Sequence, residues 1–137
     1  MVKNLKKKAA IAMAAMMCAF MGTTGIVSAR TIGSYDLVIP SFGLSKNYTD
    51  TEVKSGTTRA VNNNTSVGGG YDLKCAVFNT ANSQMTETKK FSSGDRVLID
   101  YNNSSSAKGV KCKLGIWSDL TTTVKVQARG SWSPDES

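Results

Sequence analysis

The sequence contains no histidine among its 137 residues. Histidine is the side chain that titrates near neutral pH, the usual base of catalytic triads and the commonest metal ligand. Its absence excludes histidine-based triads and imidazole metal sites. We therefore expect no catalytic residue, no metal and no cofactor, and a protein that is not an enzyme.

Two other kinds of catalytic motif are also missing. Gly68-Gly69-Gly70 is followed by Tyr71 where a phosphate-binding loop needs Lys and Ser or Thr, and it precedes a strand pattern. Asp95 and Asp100 flank one strand pattern at an odd spacing, which places the two carboxylates on opposite faces. An enzyme that uses carboxylates alone would need two of them close together in a cleft.

A dense stripe of basic residues is likewise lacking, although the whole chain carries a net charge of +7. Four lysines lie within the first eight residues, and thirteen basic and ten acidic residues follow residue 29, leaving a net charge of about +3. The remaining Lys and Arg residues are scattered along the sequence. A nucleic-acid site requires a concentrated basic surface, so we expect no nucleic-acid partner.

The N-terminus has the pattern of an export signal. Met1–Lys8 is basic, Ala9–Phe20 is uncharged, and Val27-Ser28-Ala29 fits a signal peptidase site. We predict a cleavable helical signal peptide over 1–29, cleavage between Ala29 and Arg30, and a secreted domain over 30–137. The alternative is a retained membrane anchor, which the interruption at 22–25 disfavours; we expect no stable membrane insertion after cleavage.

Removal of the signal peptide, with its Cys18, leaves Cys75 and Cys112 as the cysteines of the secreted domain. Each lies on the more apolar face of an alternating segment, Cys75 beside Leu73 and Cys112 beside Leu114. Small exported domains are often stabilised by disulfides, so we predict a Cys75–Cys112 bond through the core. The alternative is two free, buried thiols.

Short alternating runs separated by Gly, Asn and Ser recur after the signal, and helical periodicity does not. This pattern predicts an all-β fold, a small antiparallel β-sandwich of about seven strands. The predicted strands are Tyr35–Ile39, Thr57–Val61, Tyr71–Phe78, Gln84–Phe91, Arg96–Tyr101, Val110–Trp117 and Thr121–Ala128.

Most aromatic residues lie on strand patterns beside Val, Ile or Leu, which favours core packing over ligand contact. Trp132 follows Gly130-Ser131 near the chain end, so we predict that it is partly exposed and marks a contact surface. The polar segments 62–70 and 102–109 are expected to be loops that complete this surface. The acidic tail 133–137 is expected to be frayed.

The C-terminal segment Val124–Glu136, and above all Gly130–Glu136 with its Gly-x-Trp followed by acids, carries a resemblance. It resembles an uncharacterised family of small exported Gram-positive bacterial proteins, a domain of unknown function. A fainter similarity is to lactococcin 972-like bacteriocins. The resemblance implies an exported all-β fold and no established activity.

These observations favour a secreted, non-enzymatic β-sandwich that acts by binding at the cell envelope or outside the cell. Its partner is an envelope or extracellular component that the sequence does not identify, and its oligomeric state is equally undetermined by the sequence. The alternative is a secreted bacteriocin-like antibacterial protein, which the small size and modest positive charge would fit.

Overall fold

The computed structural model of the chain describes residues 30–136. The predicted signal peptide lies outside these residues, and the predicted cleavage site lies at their edge. Within them the chain forms nine strands and one short α-helix, α1 (Ser104–Ala107). The strands are β1 (Gly33–Ile39), β2 (Asn47–Tyr48), β3 (Glu52–Val53), β4 (Ala60–Val67), β5 (Leu73–Asn79), β6 (Lys89–Phe91), β7 (Arg96–Ile99), β8 (Lys111–Ser118) and β9 (Val126–Ser133).

The strands form two sheets. The first sheet has the order β1-β9-β4-β7, and the second has the order β2-β8-β5-β6, with β3 also paired to β8. Every named pair is antiparallel. The predicted all-β fold is confirmed. The predicted number of strands is wrong, because β2 and β3 have two residues each and carry no alternation that a sequence pattern could reveal.

Strand β4 occupies most of the segment that the sequence predicted to be a loop. Its Asn62 and Asn64 are buried and point toward Tyr35 of β1. The Tyr35 hydroxyl donates to Asn62 Oδ1 at 2.7 Å and accepts from Asn64 Nδ2 at 3.1 Å. Buried polar groups are stable when they are hydrogen-bonded, so these asparagines can line an interior strand face. The prediction of a loop over 62–70 was therefore wrong for Asn62–Val67.

One core cluster takes side chains from both sheets. The alternation predicted for the two cysteine-bearing segments is present, since Leu73, Val77 and Leu114 are fully buried with the cysteines. The buried cluster consists of Tyr35, Ile39, Ala60, Val67, Leu73, Cys75, Val77, Phe91, Ile99, Cys112, Leu114, Ile116, Val126, Ala128 and Trp132.

The predicted Cys75–Cys112 disulfide is not present. Cys75 pairs with Ile116 and Cys112 pairs with Asn79, so the two cysteines are four residues apart in the β5–β8 register. At ~3.3 Å per residue this offset is about 13 Å, whereas disulfide-bonded Cα atoms lie within about 7 Å. Both cysteines are free and buried. The pattern placed both thiols in the core, but only the register shows that they do not meet.

The predicted exposure of Trp132 is also wrong. Its side chain is 1% exposed and is the largest of the fully buried side chains in the described chain. Trp132 pairs with Gly33 of β1 and with Asn62 of β4, because β9 lies between these two strands in the first sheet. Its position near the chain end suggested a peripheral residue, but β9 is an inner strand.

Candidate functional site

Two polar clusters distinguish the described part of the chain. The first, which we call the latch, consists of Lys54, Asp135 and the groups around them: Ser55, Gly56, Thr58 and Pro134. Lys54 follows β3, and Asp135 lies two residues beyond β9. Both side chains are 0% exposed, and Lys54 Nζ lies 2.6 Å from Asp135 Oδ1. Residues 81 positions apart in the sequence thus form a fully buried ion pair.

The Lys54 ammonium is completely solvated by protein groups. It donates to Asp135 Oδ1, to the Thr58 carbonyl at 2.6 Å and to the Pro134 carbonyl at 3.2 Å. Its Nζ also lies 4.2 Å from the centroid of the Tyr101 ring. An ammonium has three N–H donors, so each has an acceptor. Because all three donors are hydrogen-bonded, this lysine can be buried without a large cost in free energy.

The other carboxylate oxygen of Asp135 is held by the backbone of the segment after β3. Ser55 N donates to Asp135 Oδ2 at 2.8 Å and Gly56 N donates to it at 3.1 Å. Burial acts to raise the pKa of Asp135, but the hydrogen bonds from Lys54, Gly56 and Ser55 outweigh burial and hold that pKa below its ordinary value.

The C-terminal segment is fixed around the latch. Arg59 Nε lies 3.0 Å from Glu136 Oε1, and Glu136 N donates to Thr58 Oγ1 at 3.1 Å. Arg30 Nη1 donates to the backbone carbonyl of Asp135 at 3.3 Å. The predicted frayed tail is therefore wrong over residues 133–136, of which Ser133 and Asp135 are buried.

The second cluster, which we call the lysine face, lies on the outer side of the second sheet. Directly paired residues share a face of a sheet, so the register brings its side chains together. Tyr48 pairs with Gly115, Phe78 with Lys113, and Lys74 with both Trp117 and Lys90. The cysteines point to the opposite side of the same strands. The lysine face comprises Lys46, Tyr48, Lys74, Phe78, Lys90, Lys111, Lys113, Gly115 and Trp117.

Three aromatic rings form the centre of the lysine face. Tyr48 and Phe78 have centroids 5.4 Å apart with ring planes at 80°, and Phe78 and Trp117 are 6.2 Å apart at 70°. These are favourable edge-to-face arrangements. A Cβ at Gly115 would lie 2.6 Å from Phe78 Cε1 and 3.0 Å from Tyr48 Cε1. Glycine at 115 therefore makes room for the rings.

Lysine ammonium groups surround these rings. Lys113 Nζ lies 4.0 Å from the Tyr48 centroid, and Lys46 Nζ lies 4.9 Å from the Trp117 centroid. Of the five lysines on this face, only Lys74 has a carboxylate within 4 Å among residues 30–136, namely Asp119 at 3.0 Å. The hydrogen bond from Lys74 holds the pKa of Asp119 below its ordinary value. The lysine face thus presents excess positive charge beside apolar surface.

The predicted contact loop 102–109 contains α1, which Asn103 caps by accepting from Ser106 N at 3.2 Å. It borders an open cavity of about 290 Å³ that is also lined by Asn79, Gln84 and Met85. The cavity has no charged lining residue. Among residues 30–136 no group of three or more Cys, Asp or Glu side chains is arranged to hold a metal ion, and no helix there is long and apolar enough to cross a membrane.

The structure distributes the sequence-predicted residues differently from the prediction. Cys75, Cys112 and Trp132 all lie in the core, and none reaches the lysine face. Trp117, which lies on a predicted strand and was expected to pack in the core, is half-buried on the outer face instead, beside Tyr48. Lys54 and Asp135 were missed, because nothing distinguished Lys54 from the other scattered lysines and Asp135 was expected to lie in a frayed tail. The conspicuous segment Gly130–Glu136 was the available signal, since it ends in the latch.

Comparison of the chain with models of protein families, with curated proteins and with solved structures finds no match in any of the three.

Proposed function

We propose that this protein is an exported, non-enzymatic β-sandwich that binds an anionic polymer of the cell envelope through the lysine face. One observation carries the proposal: Lys46 and Lys113, which have no carboxylate within 4 Å in the described chain, lie over a cluster of aromatic rings on the same face as Lys90 and Lys111. The export signal predicted over 1–29, cleaved between Ala29 and Arg30, would bring this face into contact with the envelope.

The sandwich arrangement is supported by the single core cluster that takes residues from both sheets. In such an arrangement the inner faces of the two sheets pack against each other, and only the outer faces can contact a ligand. The two outer faces differ in charge. The outer side of the first sheet carries Arg129 beside Asp36, with 3.4 Å between Nε and Oδ2, so this arginine has a carboxylate partner.

The chemistry of the lysine face favours a ligand that combines negative charge with apolar surface. Ammonium groups attract anionic groups over several ångströms, and the half-buried rings of Tyr48 and Trp117 contribute contact area at low entropic cost. Sugar or polyol polymers that bear phosphate or carboxylate groups have both properties. The uncharged cavity beside α1 lacks the attraction that such a ligand requires.

The direct test is co-sedimentation of the purified chain with insoluble cell walls of a Gram-positive bacterium, before and after chemical removal of their anionic polymers. We expect binding that disappears on polymer removal and weakens as salt increases, because screening reduces attraction between exposed charges. Binding to anionic lipid vesicles but not to walls would replace this ligand class with a membrane surface.

A matched pair of double variants assigns the binding to one face. Lys46→Ala with Lys113→Ala removes two charges from the lysine face, and Arg96→Ala with Arg129→Ala removes two from the outer side of the first sheet. We expect the first pair to weaken wall binding at least tenfold and the second to change it less than twofold. Equal losses from both pairs would show that net charge alone drives binding and would contradict the proposal.

The alternative function, a bacteriocin-like antibacterial protein, would use the same basic face to contact the anionic surface of a target cell. An overlay assay on related Gram-positive strains separates the two functions. Growth inhibition that the Lys46→Ala and Lys113→Ala changes abolish would favour the alternative, and wall binding without inhibition would favour the binding protein.

A further inference from the structure

The latch places an amine and a carboxyl group in contact at a site that water does not reach. Lys54 Nζ is 2.6 Å from Asp135 Oδ1, and both side chains are 0% exposed. This contact is the hydrogen bond of the ion pair, and it places the amine nitrogen beside the carboxyl group that it would attack. Transfer of one ammonium proton to the carboxyl group along this hydrogen bond is the first step of a condensation, since the nitrogen attacks the carboxyl carbon through a free electron pair.

The second oxygen of Asp135 is held by an independent set of groups. Ser55 N and Gly56 N both donate to Oδ2, at 2.8 and 3.1 Å. Two preorganised backbone N–H groups on one carbonyl oxygen are the arrangement that stabilises the oxyanion of an acyl-transfer intermediate. The Thr58 hydroxyl lies 3.4 Å from the other oxygen, Oδ1. The two oxygens of this carboxyl group are therefore distinguished, one as the oxyanion and one as the leaving group.

We propose that Lys54 and Asp135 condense to form an intramolecular amide that joins the segment after β3 to the C-terminal segment. The Nζ–Cγ bond forms and the Cγ–Oδ1 bond breaks. Two of the three ammonium protons pass to Oδ1, which leaves as water, and the third remains on the amide nitrogen. Charges cancel, since one ammonium and one carboxylate become one neutral amide and one water, and no oxidant or external reactant is required.

The groups around Lys54 and Asp135 can also hydrogen-bond to the amide product. The amide N–H keeps an acceptor in the Thr58 carbonyl, now 2.6 Å from Nζ, and the amide oxygen keeps its two backbone donors. Proximity supplies most of the advantage, because two groups held in contact by a fold react as if at very high concentration. The bond would close a covalent loop across both sheets, in a chain whose two core cysteines are free.

Peptide mapping of the wild-type full chain tests the proposal directly. Trypsin cleaves after Lys and Arg, so an unmodified, denatured chain yields 47–54, 55–59 and 130–137 as separate peptides. We expect instead that 47–59, uncleaved after Lys54, is joined to 130–137 with a mass lower than the sum of the two by one water. Complete cleavage after Lys54 with a free 130–137 peptide would overturn the proposal and leave the latch as an ion pair.

Two variants control the experiment. Lys54→Arg keeps a cation for Asp135 but has no amine able to form this amide, so the joined peptide should be absent. Lys113→Arg alters a half-buried lysine of the other cluster and should leave the joined peptide at the wild-type level. A joined peptide in Lys54→Arg would assign the cross-link to other residues. The wild-type map decides the question even if Lys54→Arg fails to fold, and it is independent of ligand binding by the lysine face.

Discussion

The latch and the lysine face use the same side chain in opposite ways. Lys54 is fully buried, with every N–H donor directed at a protein acceptor. Lys46 and Lys113 lie over aromatic rings on the outer side of the second sheet, with no carboxylate within 4 Å in residues 30–136. Net charge per domain therefore says little about function here. Lys54 is held inside the protein by Asp135, whereas Lys46 and Lys113 lie on the outer face of a sheet.

The energetic consequences of the two arrangements differ accordingly. Removing one member of a buried ion pair leaves the other charge without solvation, whereas exposed charges retain water. A substitution in the latch is therefore expected to act on the free energy of unfolding, and a substitution on the lysine face on ligand affinity. Three measurements test this difference between buried and outward-facing groups.

The largest effect is expected from Lys54→Ala, which leaves the Asp135 carboxylate buried and unpaired. We expect a loss of about 3–5 kcal/mol in the free energy of unfolding, a large share of the total for a small domain. Urea denaturation followed by tryptophan fluorescence measures it, since Trp132 lies in the core. Lys111→Ala, on the exposed face, is the matched control. A loss below about 1 kcal/mol would mean that the ion pair of the latch contributes no more to stability than an ordinary ion pair on the surface.

The next effect concerns Cys112 and its neighbour Lys113, which point to opposite sides of β8. Burial raises the pKa of the Cys112 thiol to about 11 and that of the Cys75 thiol to about 12. Since only the thiolate is nucleophilic, both thiols should resist alkylation at pH 8.5 in the folded protein and react rapidly in urea. Lys113 should be acylated under both conditions. Mass spectrometry of the alkylated peptides checks this, and absence of reaction at Cys75 or Cys112 in urea would restore the disulfide.

The raised pKa values of the two thiols also determine how the stability of the fold changes with pH. A thiol whose pKa is higher in the folded than in the unfolded state contributes stability below its unfolded pKa. That contribution is lost as the pH rises through the folded pKa. The fold should therefore become less stable from about pH 9 toward pH 11–12, with the burial-raised pKa of Tyr35, about 12, acting in the same direction.

The smallest effect on stability is expected from the Lys46→Ala and Lys113→Ala pair. Lys46 loses cation–π contacts, and Lys113 loses a cation–π contact and a hydrogen bond to Asn82 Oδ1, so the free energy of unfolding should change by about 1 kcal/mol or less. Urea denaturation measures this change alongside the wall-binding assay. A change as large as that for Lys54→Ala would mean that the two lysines stabilise the fold. Any loss of wall binding would then be explained by unfolding and not by the loss of contacts with the wall.

Much of the fold was predictable from the sequence, because alternation along a strand reports which face is buried. The cysteine-bearing strands have the predicted apolar face, with Leu73, Val77 and Leu114 fully buried beside the thiols. Strand β4 was not predictable in this way. Its inward residues include Asn62 and Asn64, whose burial depends on hydrogen bonds to Tyr35 from another strand.

The candidate sites were less predictable, since both depend on pairing between distant segments. The lysine face exists because β2, β5, β6 and β8 align their outward residues, and the register of those strands cannot be obtained from their composition. The sequence did indicate that the segment from Gly130 to Glu136 was distinctive. It did not indicate that Trp132 would be enclosed or that Asp135 would be buried against Lys54.

Residue types and their local order were enough to predict the all-β class, the absence of histidine chemistry and the inward side of the cysteine-bearing strands. These properties depend on residue type and on a period of two along the chain, both of which are local. Tertiary structure alone decided that the cysteines lie apart, that Trp132 is interior, and that one lysine of many is paired inside the protein. Each of these outcomes depends on strand register and on contacts between residues far apart in the chain, which local pattern does not encode.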